Sequence, residues 1–301
     1  MSSLTIVGAG RVGLSLAADL AATKLFPTVT VVSPGPRPAF LSRYPEIGYA
    51  RLADEGSASA GAEAVDPACL LFCVPDDVLS GAAAAWADRP SRSETPVEVA
   101  LHTSGYHGAE VLAPLRREGA AVGSWHPLVA FAEPREGAFE GISVGLEGDE
   151  AAVALGEGLS RALRTRVIRV RSGEKARYHA AAVFASNYLV ACLAVAAREL
   201  EGASEGAPGP DHLLPLARSA LEAITGVGLR SGLTGPLVRG DAATVAGHLR
   251  ALDPGTASLY RALAKQLLDL VEERLDEPTR HALREAAGVE SRQAARETRV
   301  R

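Results

Sequence analysis

The stretch LTIVGAGRVG, residues 4–13, decides how the rest of the chain is read. Four residues, Leu4, Thr5, Ile6 and Val7, form a short strand, three glycines follow in the pattern Gly-x-Gly-x-x-Gly, and helical spacing of apolar residues runs over 12–23. The glycine pattern alone is a weak signal. Between a strand and a helix it becomes a strong one, because each glycine then has its own task. Gly8 allows the tight turn, Gly10 lets a pyrophosphate approach the backbone at the helix N-terminus, and Gly13 lets the helix pack close to the sheet.

The alternation continues along the chain. Short apolar runs rich in β-branched residues at 28–33, 69–74, 97–103, 120–125, 142–146 and 167–170 read as strands, with helical stretches at 76–87, 108–117 and 150–163 among them. Strands alternating with helices imply βαβ units and a mostly parallel sheet. Beyond about residue 171 the pattern is helical only, over 174–200, 212–225, 242–252, 256–275 and 278–287. The expectation is an α/β fold: a Rossmann-type mostly parallel sheet over residues 1–172, followed by an all-α domain over 173–301.

Composition narrows the function classes. The 301 residues are 47% hydrophobic and 22% charged, enough for two domains with substantial cores. A net charge of −5, with no basic run, argues against nucleic acid as a partner. The N-terminus enters a strand with no charged leader, and this points to a cytoplasmic protein. The apolar run 180–197 approaches the length of a membrane span, but Asn187 lies near its middle and alanine is only weakly lipophilic, so a buried helix and no membrane contact are expected. Cys69, Cys73 and Cys192 make neither a Cys-x-x-Cys pair nor a disulfide framework. No metal is expected, because His102, His126 and His179 match no ligand spacing.

The residue at the end of the second strand speaks to cofactor choice. An NAD enzyme usually places Asp or Glu there to hold the ribose hydroxyls. Here the position is Ser33, with Arg37 nearby, and a hydroxyl beside a guanidinium suits a 2′-phosphate, so NADP(H) is favoured over NAD(H). Arg11, beside Val12 in the first helical turn, is a second phosphate candidate. Three further segments end strands at the edge where open α/β sheets bind ligands. VPDD brings Val74 and Pro75 as walls for a nicotinamide, HTSG brings Thr103 and Ser104, and SWHP brings Ser124 and His126.

GAGRVG, VPDD, HTSG, SWHPL, FEG, YHAAAVFASNYLVA and TGPLVRGD, in this order along nearly the whole chain, resemble the two-domain family with a Rossmann-like domain and a DUF2520 domain. That family is related to the ketopantoate reductase, pyrroline-5-carboxylate reductase, 6-phosphogluconate dehydrogenase and β-hydroxyacid dehydrogenase group. The resemblance implies helical C-terminal domains that form a homodimer and close over the nicotinamide. In β-hydroxyacid dehydrogenases a Lys and an Asn one turn apart serve as acid/base and substrate orienter. Asn187 takes the Asn place here, yet one turn earlier stands Val183, and Lys175 lies three turns too early. On one continuous helix His179 shares a stripe with Asn187, about 12 Å along the axis. His179 or His126 is then the proton donor, since imidazole titrates near neutral pH.

In the second half, SGLTGPLVRGD at 231–241 reads as a turn carrying Thr234 and Arg239, a hydroxyl and a cation suited to a substrate carboxylate. The expected activity is NADPH-dependent reduction of a small carboxylate-bearing keto or imine compound. The resemblance alone suggests 2-dehydropantoate (ketopantoate) first and a cyclic imine like pyrroline-5-carboxylate second. A non-catalytic NADP(H)-binding sensor or scaffold stands as the alternative, because the usual lysine is missing.

Overall fold

The computed structural model describes residues 3–52, 68–89 and 96–289. The chain divides into two compact units, Met1–Ser186 and Asn187–Arg301. The helix that begins at Lys175 therefore goes with the sheet, although the sequence pattern groups it with the helical half.

In the first unit the strands are β1 (Leu4–Val7), β2 (Val29–Ser33), β3 (Gly48–Arg51), β4 (Cys69–Phe72), β5 (Val99–His102), β6 (Ala121–Pro127), β7 (Ser143–Gly148) and β8 (Arg166–Arg169). They form one sheet in the order β3-β2-β1-β4-β5-β6-β7-β8. Every neighbouring pair is parallel except β6 with β7. Helices α1 (Arg11–Thr23), α2 (Asp76–Ala87), α3 (Ala113–Arg117), α4 (Glu150–Ala162) and α5 (Lys175–Ala185) belong to the same unit.

Strand alternation divides the core between the two faces. Leu4, Ile6, Cys69, Leu71, Leu101 and Trp125 pack with α1 and α4. Val7, Leu70, Phe72, Ala100 and Val122 pack with α2 and α3 on the other side. The central strands are largely apolar because both of their faces are covered, with buried Thr5 and His102 as the exceptions in β1 and β5.

Two differences from the sequence pattern have local causes. β3 was not foreseen, since Gly48, Tyr49, Ala50 and Arg51 lack an apolar run and pair on one side only, with β2. The helix expected over 174–200 ends at Ser186 and restarts as α6 (Asn187–Gly202). At the break the Ser186 hydroxyl donates to Ala182 O at 2.8 Å, the back-bonding by which serine bends or interrupts helices. The apolar run expected as a buried helix is not buried in the single chain, since α6 buries no residue; Lys175–Gly202 meets the length and hydropathy of a membrane span, but its helical geometry is interrupted at Ser186 and it begins on a buried lysine.

The second unit continues with α7 (Leu214–Gly232), α8 (Pro236–Arg239), α9 (Ala242–Ala251), α10 (Pro254–Val271) and α11 (Glu277–Ala287). The segment expected as a plain turn at 231–241 thus contains α8. Leu237, Val245, Ala264, Leu268, Leu283 and Ala287 form the core of this unit, and α6 and α7 bury no residue of their own.

Candidate functional site

β1 delivers the chain to Gly8 at the switch point of the sheet, where the strand order reverses between β1 and β4. Gly8 has φ +113°, and a Cβ there would lie 2.4 Å from the Cys73 carbonyl oxygen just beyond β4. At Gly13 a Cβ would lie 2.1 Å from Gly8 O. At Gly10, extended and exposed as the N-cap of α1, a Cβ would meet nothing within 4 Å. Two glycines are thus required by close packing, and the third leaves open space before the first turn of α1. That space and the positive end of the helix fit a pyrophosphate. Half-buried Val12 packs on the core, while Arg11 Nη1 donates to Phe131 O at 2.9 Å.

At the ends of β2 and β3 the structure changes the reading of the arginines. The Arg37 guanidinium donates to three carbonyls, Ile47 O at 3.1 Å, Leu41 O at 3.1 Å and Tyr44 O at 3.2 Å, so it is committed to holding the chain between β2 and β3. Arg51 pairs with Ser33 across the two strands, is exposed, and donates through Nε to Pro34 O at 2.9 Å. Sequence reasoning missed it because β3 carries no strand signal of its own.

β4 and β5 lead into the next part of the rim. Val74 is half-buried after β4, and exposed Pro75 takes the N-cap position of α2. Thr103 is tied to β4 through N and Oγ1, which donate to Phe72 O at 3.0 and 3.3 Å.

On the α2–α3 face of the sheet, a buried polar row crosses three strands. His102 pairs with Ser124, and Ser124 with Glu147. Lys175, at the start of α5 and 3% exposed, closes over this row: Nζ donates to Ser124 Oγ at 2.7 Å and to Ser104 O at 2.8 Å. Burial pulls its pKa down to about 8, with Glu147, Asp76 and Glu110 acting the other way. His102 Nδ1 accepts from Ser104 N at 3.2 Å, so Nε2–H donates to Gly108 O at 3.1 Å. The Ser104 hydroxyl accepts from the N–H groups of Tyr106 and His107. The hydroxyls of Ser104 and Ser124, expected to hold substrate, therefore brace the loop after β5 from inside. An i, i+4 relation between Lys175 and His179 was the available signal for Lys175.

β6 continues past Ser124 to Pro127 and brings His126 to the rim. Its Nδ1 lies 3.0 Å from the Tyr178 hydroxyl, and its ring meets that of His179 edge-on at 5.9 Å. Both histidines face Gly105, where a Cβ would lie 2.8 Å from His126 Nε2 and 2.5 Å from His179 Cδ2. Burial first, then the Lys175 charge, lower the His126 pKa to about 4. His126 is therefore neutral at pH 7 and does not bring the proton of an imidazolium. Burial lowers His102 further, to about 3.

The structure thus gathers Ser104, Ser124, His126 and His179 around Lys175 and Gly105. Asn187, Thr234 and Arg239 belong to the second unit, where all are exposed: Asn187 opens α6, Thr234 precedes α8 and Arg239 ends it. The adjacent Asp241 caps α9 by accepting from Thr244 N at 3.0 Å. Among the described residues no cluster of three or more His, Cys, Asp or Glu is placed to hold a metal ion.

Residues 2–127 match a Rossmann-like domain, and residues 142–267 match DUF2520, a domain of unknown function. None of the curated proteins matches the chain. Protein TM1727 from Thermotoga maritima is similar in structure, with 24% identity, TM-score 0.68 and coverage of 90% of this chain and 98% of that one. BF3122 from Bacteroides fragilis, a candidate NADP oxidoreductase, has 23% identity, TM-score 0.66 and coverage of 89% and 98%. The Plasmodium falciparum pyrroline carboxylate reductase with NADP bound has 9% identity, TM-score 0.52 and coverage of 94% and 98%. At these identities the likeness is one of fold.

Proposed function

From a chain that joins a Rossmann-like domain to a DUF2520 domain, we propose an NADPH-dependent reductase of a small carboxylate-bearing keto or imine compound. 2-Dehydropantoate is the first substrate to try and a cyclic imine like pyrroline-5-carboxylate the second. One juxtaposition carries the reading: the strand edge that leaves open space at Gly10 also presents His126 and His179 around Gly105. Bound NADPH supplies the hydride. Gly8, Gly10 and the N-terminus of α1 would hold its pyrophosphate, Val74, Pro75 and Thr103 would wall the nicotinamide, and His126 and His179 would meet the oxygen or nitrogen of the double bond whose carbon takes the hydride. Asn187, Thr234 and Arg239 keep their proposed roles in orienting the substrate.

Ser33 with Arg51, in place of Arg37, is the pair proposed for the 2′-phosphate. Arg51→Ala is expected to weaken NADPH binding at least tenfold and leave NADH binding within about twofold, as follows from losing one charge-assisted phosphate contact. Equal loss of both cofactors, or of neither, removes Arg51 from this role.

The test of the activity is NADPH oxidation by the purified protein against 2-keto acids and cyclic imines, with NADPH and NADH binding measured on the same sample. Turnover of one compound supports the reductase. One observation favours a non-catalytic NADP(H)-binding protein instead: the lysine of α5 is buried, with its Nζ engaged by Ser104 O and Ser124 Oγ. Tight NADPH binding with no turnover moves the weight to that reading, and failure to bind either dinucleotide ends both.

A homodimer in the cytoplasm completes the proposal. It is supported by α6 and α7, which leave Val190, Leu216, Val227 and Leu229 more than half exposed in the single chain.

A further inference from the structure

We infer that Tyr178 holds His126 in its Nε2–H tautomer, so that the rim meets its substrate with a fixed, neutral hydrogen-bond donor suited to a carbonyl or carboxylate oxygen. The inference deepens the reductase reading and depends on it only for the ligand.

The geometry around Tyr178 leaves its proton one destination. A Cβ on Gly145 would come within 2.3 Å of Tyr178 Oη and 2.4 Å of Cζ, so the phenol lies directly on the backbone of β7, at a position only glycine can fill. Among the described residues the phenol has one side-chain hydrogen-bond partner, His126 Nδ1 at 3.0 Å, and a phenol held protonated by burial donates there. An imidazole that accepts at Nδ1 and stays neutral carries its own proton on Nε2.

The groups facing His126 keep it neutral. From α5 come Lys175, His179 and the Tyr178 hydroxyl, from β5 His102, and from α2 Asp76. Lys175 and His179 oppose a second proton on the ring and only Asp76 favours one, while Glu147 of β7 acts on the Lys175 ammonium. Burial keeps Tyr178 itself protonated, with its pKa pushed up to about 12.

His126 Nε2 faces the Gly105 position and has no hydrogen-bond partner among the described residues. A donor fixed this way costs no reorganisation when an oxygen gains charge, which is the property of an oxyanion site. It complements a keto oxygen or a carboxylate. It does not complement a protonated imine, whose N–H is also a donor, and so the site selects the keto arm of the proposed function. His126 is then the catalytic group and Tyr178 the positioning residue.

The test is the tautomer itself, read by long-range 1H–15N correlation on the full-length protein labelled with 15N-histidine. His126 is assigned among the seven histidines as the signal that His126→Gln removes. The expected wild-type spectrum at pH 7 shows a protonated Nε2 and an unprotonated Nδ1. In Tyr178→Phe, which keeps the ring over Gly145 and removes the hydroxyl, His126 moves to a mixture of tautomers and the other six histidines stay in place. A wild-type His126 protonated on Nδ1, or doubly protonated at pH 7, overturns the inference, as does an unchanged tautomer in Tyr178→Phe. Should that variant fail to fold, the wild-type spectrum decides alone. For the ligand, turnover of a cyclic imine with no 2-keto acid turned over overturns the choice of oxygen. Failure to bind NADPH strikes only the reductase reading, because the tautomer is measured without cofactor.

Discussion

Gly10 and Gly13 are three residues apart, and the structure gives a methyl group opposite consequences at each. At Gly13 the methyl collides with the Gly8 carbonyl, so Gly13→Ala is expected to lower stability by about 2 kcal/mol or more, the scale of overpacking a tight core. At Gly10 the methyl enters open space, so Gly10→Ala keeps the wild-type melting temperature within a degree or two and weakens NADPH binding at least tenfold. Urea denaturation and cofactor titration on both variants check this, and a Gly10→Ala protein that binds NADPH normally places the pyrophosphate elsewhere. The buried histidines give a second residue-scale prediction. Their folded pKa values, about 3 for His102 and about 4 for His126, lie below the ordinary 6.5. As pH falls below 6.5 the unfolded chain takes up protons that the folded chain refuses, so stability drops with acidification. At about 1.4 kcal/mol per pKa unit, each histidine removes about 2 kcal/mol by pH 5. Lys175 does not enter this window, because its folded pKa of about 8 and ordinary 10.5 make stability rise with pH only between those values. Melting followed from pH 7 to pH 5 should show the fall, and His126→Gln should show a shallower one. A flat wild-type profile means these rings are not held neutral.

Between β2 and β3, Arg37 donates to three carbonyls, two of which, Leu41 O and Tyr44 O, also accept from backbone N–H groups, and it acts as a clamp on the element. Arg37→Ala is expected to cost about 1–2 kcal/mol, since the bonds are charge-assisted but the residue is exposed. Urea unfolding at constant m-value checks the figure, and NADPH affinity should be retained. The same element shows where legibility ends. β1, β4 and β5 were plain in the sequence because burial on both faces demands unbroken apolar runs. β3 was hidden because an edge strand beside a serine-ended neighbour needs no such run. With β3 unseen, Arg51 had no place beside Ser33, and Arg37 took its role by proximity in sequence. The glycine turn was legible because its chemistry is local. The polar row was not, because Lys175 finds its partners 71 and 51 residues away, at Ser104 and Ser124. The break at Ser186 was masked by the alanine-rich run around it, whose helix propensity is unbroken.

For the molecule as a whole, the second unit presents an imbalance. Its core is made by α8 to α11, and α6 and α7 add no buried residue to it. Val190 is 65% exposed, Leu216 68%, Val227 63% and Leu229 61%. Large apolar side chains left exposed on two helices of one unit are a candidate interaction surface. A second copy of the same chain is the occupant we propose, since an isologous contact would let each apolar helix cover its counterpart. Sedimentation velocity at micromolar concentration is therefore expected to show a dimer. Val190→Glu combined with Leu216→Glu should give a monomer that keeps its helical circular dichroism, because neither residue contributes to the α8–α11 core. A monomeric wild type removes the dimer. Flotation of the wild type with phospholipid vesicles would instead assign the surface to a bilayer, an outcome opposed by the buried Lys175 and the helix break at Ser186 within the segment long enough to span one.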